Sequence, residues 1–166
     1  MIPAHGRRGL PIHVLMALGC YLSCFWFPAI YVNEDFEAVS PLALLGTGWG
    51  GVFDLNFGWF ANPAFALAVT MASSRPRRSV VFAAAGLLLA LSFPFYSYVR
   101  VHELSSQSRV SAYGWGYALW IASMAVLVAG QASQTRGKGG RRAAWAASIA
   151  GGCVVLTYAA YLMLGG

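Results

Sequence analysis

The residues best suited to chemistry lie in the stretch 46–63, GTGWGGVFDLNFGWFANP, within an otherwise apolar sequence. Asp54 and Asn56 offer a carboxylate and an amide oxygen of the kind that coordinates hard cations. One carboxylate is too few for a metal site on its own, and no catalytic partner accompanies it. The stretch therefore predicts a ligand-binding site, formed by Asp54, Asn56, Trp59 and Asn62.

The Asn62-Pro63 step stands at the entry to an apolar run. Proline lacks a backbone N–H and clashes with the preceding turn, and asparagine before it can cap a helix that restarts at the proline. The step therefore predicts a second span that is kinked, or one whose outer half is non-helical. Discontinuous membrane helices often line substrate sites. Proline is also common in membrane helices for packing reasons alone, and both interpretations stay open.

A second group of candidate ligands lies on one face of the first predicted helix, at offsets of 3, 7 and 11 residues: His13, Met16, Cys20 and Cys24. Such side chains suit soft metals such as Cu(I). They extend over about 16 Å at about 1.5 Å per residue, so all four cannot bind one ion. Cysteine and methionine are also ordinary packing residues. We therefore predict no metal site, with Cys20 and Cys24 as the weak candidates.

His102 and Glu103 form the remaining pair that could move protons. Adjacent residues in a polar loop are usually solvated, so we expect no catalytic role for them. The glycine-rich stretch 46–51 lacks the Gly-Lys-Ser/Thr ending of a phosphate loop, and the chain has no HExxH or GxSxG motif. The sequence therefore predicts a protein that is not an enzyme and that has no cofactor.

Composition indicates the kind of scaffold that positions these residues. The chain of 166 residues is 58% hydrophobic and only 10% charged, against about 25% charged in ordinary soluble domains. The mean hydropathy is +0.61. The net charge of +6 does not indicate nucleic-acid binding, because the basic residues sit in short loops between apolar runs. The predicted fold class is all-α: a single polytopic transmembrane helix bundle.

Five apolar runs approach the length of about 20 residues that crosses a bilayer, at 12–32, 57–73, 80–99, 112–131 and 143–164. The stretch 41–53 is apolar but glycine-rich, and it is predicted to be interfacial or re-entrant. A basic start before an apolar core is also typical of a signal peptide. Apolar sequence continues well past Cys20, so we favour a first helix that is retained.

The charged residues indicate the orientation of these spans. One side of a five-span topology holds nine of the 11 basic residues: Arg7, Arg8, Arg75, Arg77, Arg78, Arg136, Lys138, Arg141 and Arg142. The other side holds Arg100, Arg109 and all five acids. Basic loops stay cytoplasmic, so the N-terminus is predicted inside and the C-terminus in the periplasm or outside the cell. Anionic lipid headgroups are predicted to bind Arg75, Arg77, Arg78, Arg141 and Arg142.

Small residues at four-residue spacing predict where the helices pack. They are Gly86 and Ala90 in the third span, Ala118, Ala122, Ala125 and Ala129 in the fourth, and two rows in the fifth, Ala143/Ala147/Gly151 and Ala144/Ser148/Gly152. Packing within the chain and docking onto a partner subunit both fit this pattern. An aromatic belt at the outer boundary is predicted from Trp49, Trp59, Tyr96, Tyr98, Tyr113, Trp115 and Tyr117.

Several short motifs together resemble a family of small multi-pass bacterial membrane proteins with no assigned activity. They are Gly-Trp at 48–49, Gly-Trp-Phe-Ala-Asn-Pro at 58–63, the basic turn at 75–78 and Gly-Tyr-Ala-Leu-Trp at 116–120. The resemblance covers roughly residues 12–130 and implies a bacterial inner-membrane location and a four-span core. The fifth span then looks like a C-terminal extension.

Three functions follow from these features. The leading hypothesis is a non-enzymatic accessory, scaffold or binding subunit, partnered by the lipid bilayer and by another membrane protein or a second copy of itself. The first alternative is a small transporter or channel that uses the Asn62-Pro63 helix break and Asp54. The second is a metal or quinone redox membrane protein that uses the first helix. Nucleic acid is not a predicted partner.

Overall fold

Apolar runs broken by glycine, proline and charged turns give this chain a mostly helical fold. The computed structural model describes residues 10–99 and 108–135. Within them lie five α-helices: α1 Ile12–Ser23, α2 Pro41–Thr47, α3 Ala61–Met71, α4 Pro76–Ser92 and α5 Trp115–Thr135. Short 3-10 segments continue or precede them, at Cys24–Trp26, Gly48–Asp54, Gly58–Phe60 and Phe93–Phe95. The predicted span 143–164, Arg141 and Arg142 lie outside the described residues.

Proline and serine set two of the helix starts. Pro41 begins α2 directly after Ser40, whose Oγ accepts a hydrogen bond from the Ala43 N–H at 3.2 Å. Pro76 likewise begins α4 after Arg75. The missing proline N–H costs nothing here, because the first N–H groups of a helix have no partner within it.

Among the residues that the structure describes, two helices are long and apolar enough to cross a membrane. They are Pro76–Phe95, with 20 residues, and Trp115–Thr135, with 21, and they overlap the predicted spans 80–99 and 112–131. Two further helical segments are too short to span a bilayer as straight helices. Ile12–Trp26 is a shorter apolar helix, and α3 has 11 residues. At about 1.5 Å per residue α3 covers about 16 Å, roughly half of a hydrocarbon core of about 30 Å.

The prediction of an all-α fold omitted a small antiparallel sheet. Its strands are β1 Ile30–Val32, β2 Glu37–Val39, β3 Tyr98–Val99 and β4 Ser108–Tyr113, in the order β2-β1-β4-β3. Residues 30–32, 98–99 and 112–113 had been assigned to the ends of helical spans. In β1 the side chains alternate, with Ile30 and Val32 buried and Tyr31 only half-buried. This period of two suits a strand with one covered face.

The sheet has its own small core, and the helices have another. Ile30, Val32, Val39 and Val99 pack together beneath the strands. The helical core is formed by α1, α3, α4 and α5, and it includes Val14, Phe65, Ile121, Met124 and Leu127. Phe93 packs against both cores, so the sheet and the helices form one continuous body.

Small residues lie at the contact between α3 and α4. A Cβ at Gly86 would come within 3.3 Å of the Ala61 carbonyl oxygen, so glycine allows the two backbones to approach closely. The Ser79 Oγ donates to the Ala68 carbonyl at 2.7 Å across the same interface. Ala90, predicted with Gly86 as a packing position, is buried, and its carbonyl accepts from the Tyr117 hydroxyl of α5 at 2.9 Å.

Glycines also fix the position of α5. A Cβ at Gly116 would lie 2.5 Å from the Phe27 carbonyl oxygen and 2.8 Å from that of Pro28, while the Gly116 N–H donates to the Pro28 carbonyl at 2.8 Å. At the other end of α5, a Cβ at Gly130 would overlap the ring of His13. The neighbouring Gln131 Nε2 lies 3.1 Å from the His13 Nε2, and both residues are buried. The glycines at 116 and 130 thus allow α5 to pack closely against α1 and the segment that follows it.

The order of elements places the sheet at one end of the helices. α1 leads into β1, α4 leads into β3, and β4 leads into α5. The turn between α3 and α4 lies at the opposite end, where Arg75, Arg77 and Arg78 are exposed. The exposed acids Glu34, Asp35 and Glu37 lie on or beside the β1–β2 hairpin. We call these the sheet end and the arginine end.

Candidate functional site

A cavity of about 90 Å³ lies at the sheet end, between the helices and the sheet. Its walls come from α1, α2, the start of α5, β3, and the segment 48–62 that joins α2 to α3. Four residues predicted as ligand-binding all lie on this lining: Asp54, Asn56, Trp59 and Asn62. The fold therefore brings the predicted site residues to one place, and their contacts show what each can do there.

Asn62 connects three helices. Its Oδ1 accepts hydrogen bonds from the Tyr21 hydroxyl of α1 at 3.0 Å and from the Trp120 Nε1 of α5 at 2.9 Å. Its Nδ2 donates to the Trp59 carbonyl at 3.1 Å. An amide oxygen has two lone pairs, and both are used here. Asn62 therefore acts on the cavity by fixing two aromatic rings in its wall, and its oxygen is not available to a ligand.

The Asn62-Pro63 step does not cap or kink a span. Helix α3 begins at Ala61, two residues before the proline, and the 3-10 segment Gly58–Phe60 leads directly into it. Pro63 falls in the first turn, where its missing N–H would have had no partner within the helix. Helix α3 thus starts beside the cavity, and a 3-10 turn precedes it.

Asn56 closes the loop below the cavity. It is buried, its Oδ1 accepts from the Gly58 N–H at 3.0 Å, and its own N–H donates to the Gly51 carbonyl at 2.8 Å. Leu55, just before it, has a left-handed backbone with φ of 58°. Residues other than glycine rarely adopt this backbone conformation. Leu55 ends the 3-10 segment and turns the chain so that Asp54 and Asn56 both reach the cavity lining.

Trp59 ties α2 to the entry of α3. Its Nε1 donates to the Leu45 carbonyl at 2.8 Å, so the indole position is fixed by a hydrogen bond at its polar edge. A Cβ at Gly48 would lie 2.7 Å from the Trp59 Cδ1. The glycine at 48, singled out in the sequence as part of a Gly-Trp pair, is therefore required for the indole to lie where it does.

Asp54 carries the charge of the site. It ends the 3-10 segment Gly48–Asp54 and is half-buried. Among the described residues that line the cavity it is the single side chain of the Asp, Glu, Lys and Arg types. The site therefore has one carboxyl group set into a mainly apolar and aromatic wall.

The aromatic part of the wall includes residues that sequence reasoning assigned elsewhere or missed. Tyr117 was predicted to belong to an outer aromatic belt, but it is buried and lines the cavity. Tyr21 and Trp120 were not singled out as site residues, and the available signal for Trp120 was the motif at 116–120. Trp49 and Trp115 are exposed, and Tyr98, which is also exposed, lines the cavity as well.

The first-helix candidates are separated in the structure. Cys24 is buried at the cavity, whereas His13 lies near the start of α1 beside Gln131. Cys20 is half-buried, and both of these cysteines are free thiols. Met16 is exposed. Within residues 10–99 and 108–135, no three His, Cys, Asp or Glu side chains are grouped to hold a metal ion.

Arg100, His102 and Glu103 lie outside the described residues. Arg75, Arg77 and Arg78 are exposed at the arginine end.

Comparison with protein-family models, with curated proteins and with solved structures finds no match to this chain.

Proposed function

We propose that this chain is a multi-pass membrane protein of the bacterial inner membrane that binds a small, largely apolar ligand in the cavity at its sheet end. In this proposal the arginine end faces the cytoplasm, the sheet end faces the periplasm, and residues 143–164 form a fifth span with its C-terminus outside. The protein is a non-enzymatic binding or accessory subunit. The observation that carries the proposal is the cavity that contains Asp54, Asn56, Trp59 and Asn62.

The exposed surface of the helices supports a lipid environment. Val81 and Leu88 on α4 are 66% and 69% exposed, and Leu15 and Leu22 on α1 are also exposed. Each pair is seven residues apart, which places its members on one helix face. Contiguous apolar surface of this kind is costly in water and favourable in lipid. The separation of Arg75, Arg77 and Arg78 from Glu34, Asp35 and Glu37 supports the orientation.

The depth of the cavity supports ligand binding. Trp120 is the sixth residue of α5, so its hydrogen bond to Asn62 lies about 8 Å along a helix of about 31 Å. Irregular backbone at that depth occurs where it is buried in protein or lines a cavity. The chain from Gly48 to Phe60 is irregular or 3-10 at this place, and it forms one wall of the cavity. Pockets with apolar walls and a few convergent polar groups are typical of ligand sites.

Binding is tested with a neutral probe, 3,3-dimethylbutan-1-ol, by calorimetry on the full chain in maltoside micelles. Leu45→Trp, at the lining, should abolish binding because the larger side chain fills the cavity. Leu42→Trp is the matched control on the same helix, since Leu42 is 62% exposed and is not part of the lining. The proposal fails if the wild-type chain does not bind this probe, or if the two tryptophan variants behave alike.

Transport of the bound ligand is the second candidate function. It is favoured by the position of Asp54 on the cavity and by the short α3, which leaves a non-α-helical path at the sheet end. Uptake of radiolabelled rubidium ions into proteoliposomes measures the cation version. Flux that is unchanged by Asp54→Asn and Asn62→Ala would remove the basis for this candidate.

A further inference from the structure

The polar side chains on the cavity lining are largely committed to the protein itself. Four aromatic side chains donate hydrogen bonds to protein acceptors, with Tyr21 and Trp120 bonded to Asn62, Trp59 to Leu45 and Tyr117 to Ala90. Asp54, the one acidic side chain on the described lining, also has an interaction within the protein. Tyr98 differs, because its side chain is 54% exposed, so it lies at the mouth. A ligand in the interior of the cavity therefore meets mainly apolar surface.

The exposed surface beside the lining is apolar as well. Six large apolar side chains that are next to a lining residue in the chain are at least 40% exposed: Trp26, Leu42, Phe53, Leu55, Phe57 and Phe60. Within the part of the chain that the structure describes, no exposed residue next to a lining residue is Asp, Glu, Lys or Arg. Extensive exposed apolar surface is typical of contact with a membrane or a partner. In the proposed orientation, lipid therefore borders the cavity mouth.

The cavity extends inward from the level of the membrane interface. Tyr98, on the lining, and Trp115, the first residue of α5, are both more than half exposed. Tyrosine and tryptophan rings favour the headgroup region of a bilayer. Trp120 lies about 8 Å further along α5, at about 1.5 Å per residue. In the proposed orientation, the cavity thus reaches from the headgroup level to the depth of the hydrocarbon chains.

The size of the cavity suits a short length of hydrocarbon. Its volume of about 90 Å³ is roughly six to nine times what one water requires. A methylene group is similar in volume to a water molecule, so the space accepts about six to nine carbon atoms of a chain. Apolar cavities stay dry and bind apolar molecules, because wall atoms that face empty space lose their contacts. A hydrocarbon chain restores those contacts without requiring any hydrogen bond.

We propose that the cavity holds one hydrocarbon chain of a membrane phospholipid, which enters from the bilayer and keeps its headgroup at the mouth. This inference rests on the proposed function, and it adds the chemical class of the ligand and the side from which the ligand arrives. The chain is recognised by the apolar lining, and the headgroup stays at the level of Tyr98, where the lining is exposed.

The test is native mass spectrometry of the full chain released from nanodiscs of phosphatidylglycerol. We expect one phospholipid to stay bound to the wild-type chain. Leu45→Trp fills the lining and should lose this lipid, whereas Leu42→Trp, at an exposed position on the same helix, should keep it. Absence of lipid from the wild-type chain, or equal retention by the two variants, overturns the inference. A bound mass that matches a free fatty acid overturns the assignment to phospholipid.

Competition with the neutral probe 3,3-dimethylbutan-1-ol examines the same point without a substitution, so its result does not depend on the folding of a variant. Saturating probe should remove the bound phospholipid mass, because the branched alkyl group and the lipid chain occupy one space. A complex that carries the probe and the phospholipid together would place the lipid outside the cavity and overturn the inference.

The outcomes separate this inference from the function on which it rests. A chain that binds the probe in maltoside micelles but retains no phospholipid refutes the lipid assignment and leaves the proposed function standing. A chain that does not bind the probe contradicts the proposed function itself.

Discussion

The Trp120 Nε1 donates a hydrogen bond to the Asn62 Oδ1 at 2.9 Å, and this contact joins the N-terminal part of α5 to the first turn of α3. The same oxygen accepts from Tyr21, so one short amide holds together α1, α3 and α5. The cavity wall depends on this arrangement, because both donors belong to rings that line it.

Replacing Asn62 with alanine should destabilise the fold by about 2 kcal/mol, since the Tyr21 hydroxyl and the Trp120 Nε1 would both lose their acceptor. Asn62→Asp keeps an oxygen acceptor and should cost less. The measurement is thermal unfolding in maltoside micelles. Thr70→Ala is the control on the same helix, because the exposed Thr70 hydroxyl bonds only its own turn. Equal stability of Asn62→Ala and Thr70→Ala would contradict the role assigned to Asn62.

Gly48 and Gly46 form a matched pair of glycines two residues apart. Gly48→Ala should cost about 1–3 kcal/mol, because the new methyl group would lie 2.7 Å from the Trp59 Cδ1. Gly46→Ala meets nothing within 4 Å in helix α2 and should be neutral or stabilising by up to about 1 kcal/mol. Unfolding midpoints and the tryptophan emission spectrum report both changes. A stable Gly48→Ala variant with unaltered emission would be inconsistent with this indole position.

Gly116→Ala is expected to be more damaging than a change at Gly48. The added Cβ would meet the Phe27 carbonyl oxygen at 2.5 Å, and backbone cannot rotate away as a side chain can. We expect a loss of about 3 kcal/mol, at the upper end of the range for overpacking. Gly19→Ala in α1 has nothing within 4 Å and serves as the control. Comparable unfolding midpoints for the two variants would show that α5 does not pack against Phe27 and Pro28 in this way.

The proposed orientation is tested by labelling single cysteines with a membrane-impermeant maleimide. The sequence has three cysteines, Cys20, Cys24 and Cys153. With all three changed to alanine, Glu34→Cys should react in intact spheroplasts, and Arg77→Cys should react only after the membrane is opened. Both positions are exposed, so access of the reagent is set by the membrane alone. Reaction of the two in the same compartment would contradict the proposed sidedness.

Apolar run length was enough to predict α4 and α5, because each lies in a helical segment of 20 or 21 residues with a high mean hydropathy. It could not show that the run 12–32 ends as a strand. The strand residues 30–32 are as apolar as the helix before them. They form a strand because they pair with β2 and with β4, and β4 is distant in sequence. The sheet was missed for this reason.

The candidate site shows the same division between local and distant information. Asp54, Asn56, Trp59 and Asn62 are close in sequence, so an unusual composition was enough to single them out. The roles of the two asparagines were not visible, because they depend on partners elsewhere. Tyr21 and Trp120 lie 41 and 58 residues from Asn62, and no local pattern indicates that these three side chains meet. Asn62, one of the four residues predicted to bind a ligand, instead holds the side chains of Tyr21 and Trp120 by hydrogen bonds.

The shortness of α3 has an electrical consequence for the proposed orientation. The cavity floor at Asn62 and Trp120 lies about 8 Å along α5, about a quarter of a hydrocarbon core of about 30 Å. A cation that reaches it from the periplasm has crossed a similar share of the transmembrane voltage. A full crossing is worth about 2.3 kcal/mol per 100 mV, so a quarter is worth about 0.6 kcal/mol. For the cation version of the transport candidate, an energised membrane, negative inside, would therefore draw the cation inward and raise its occupancy two- to threefold, at about 1.4 kcal/mol per tenfold.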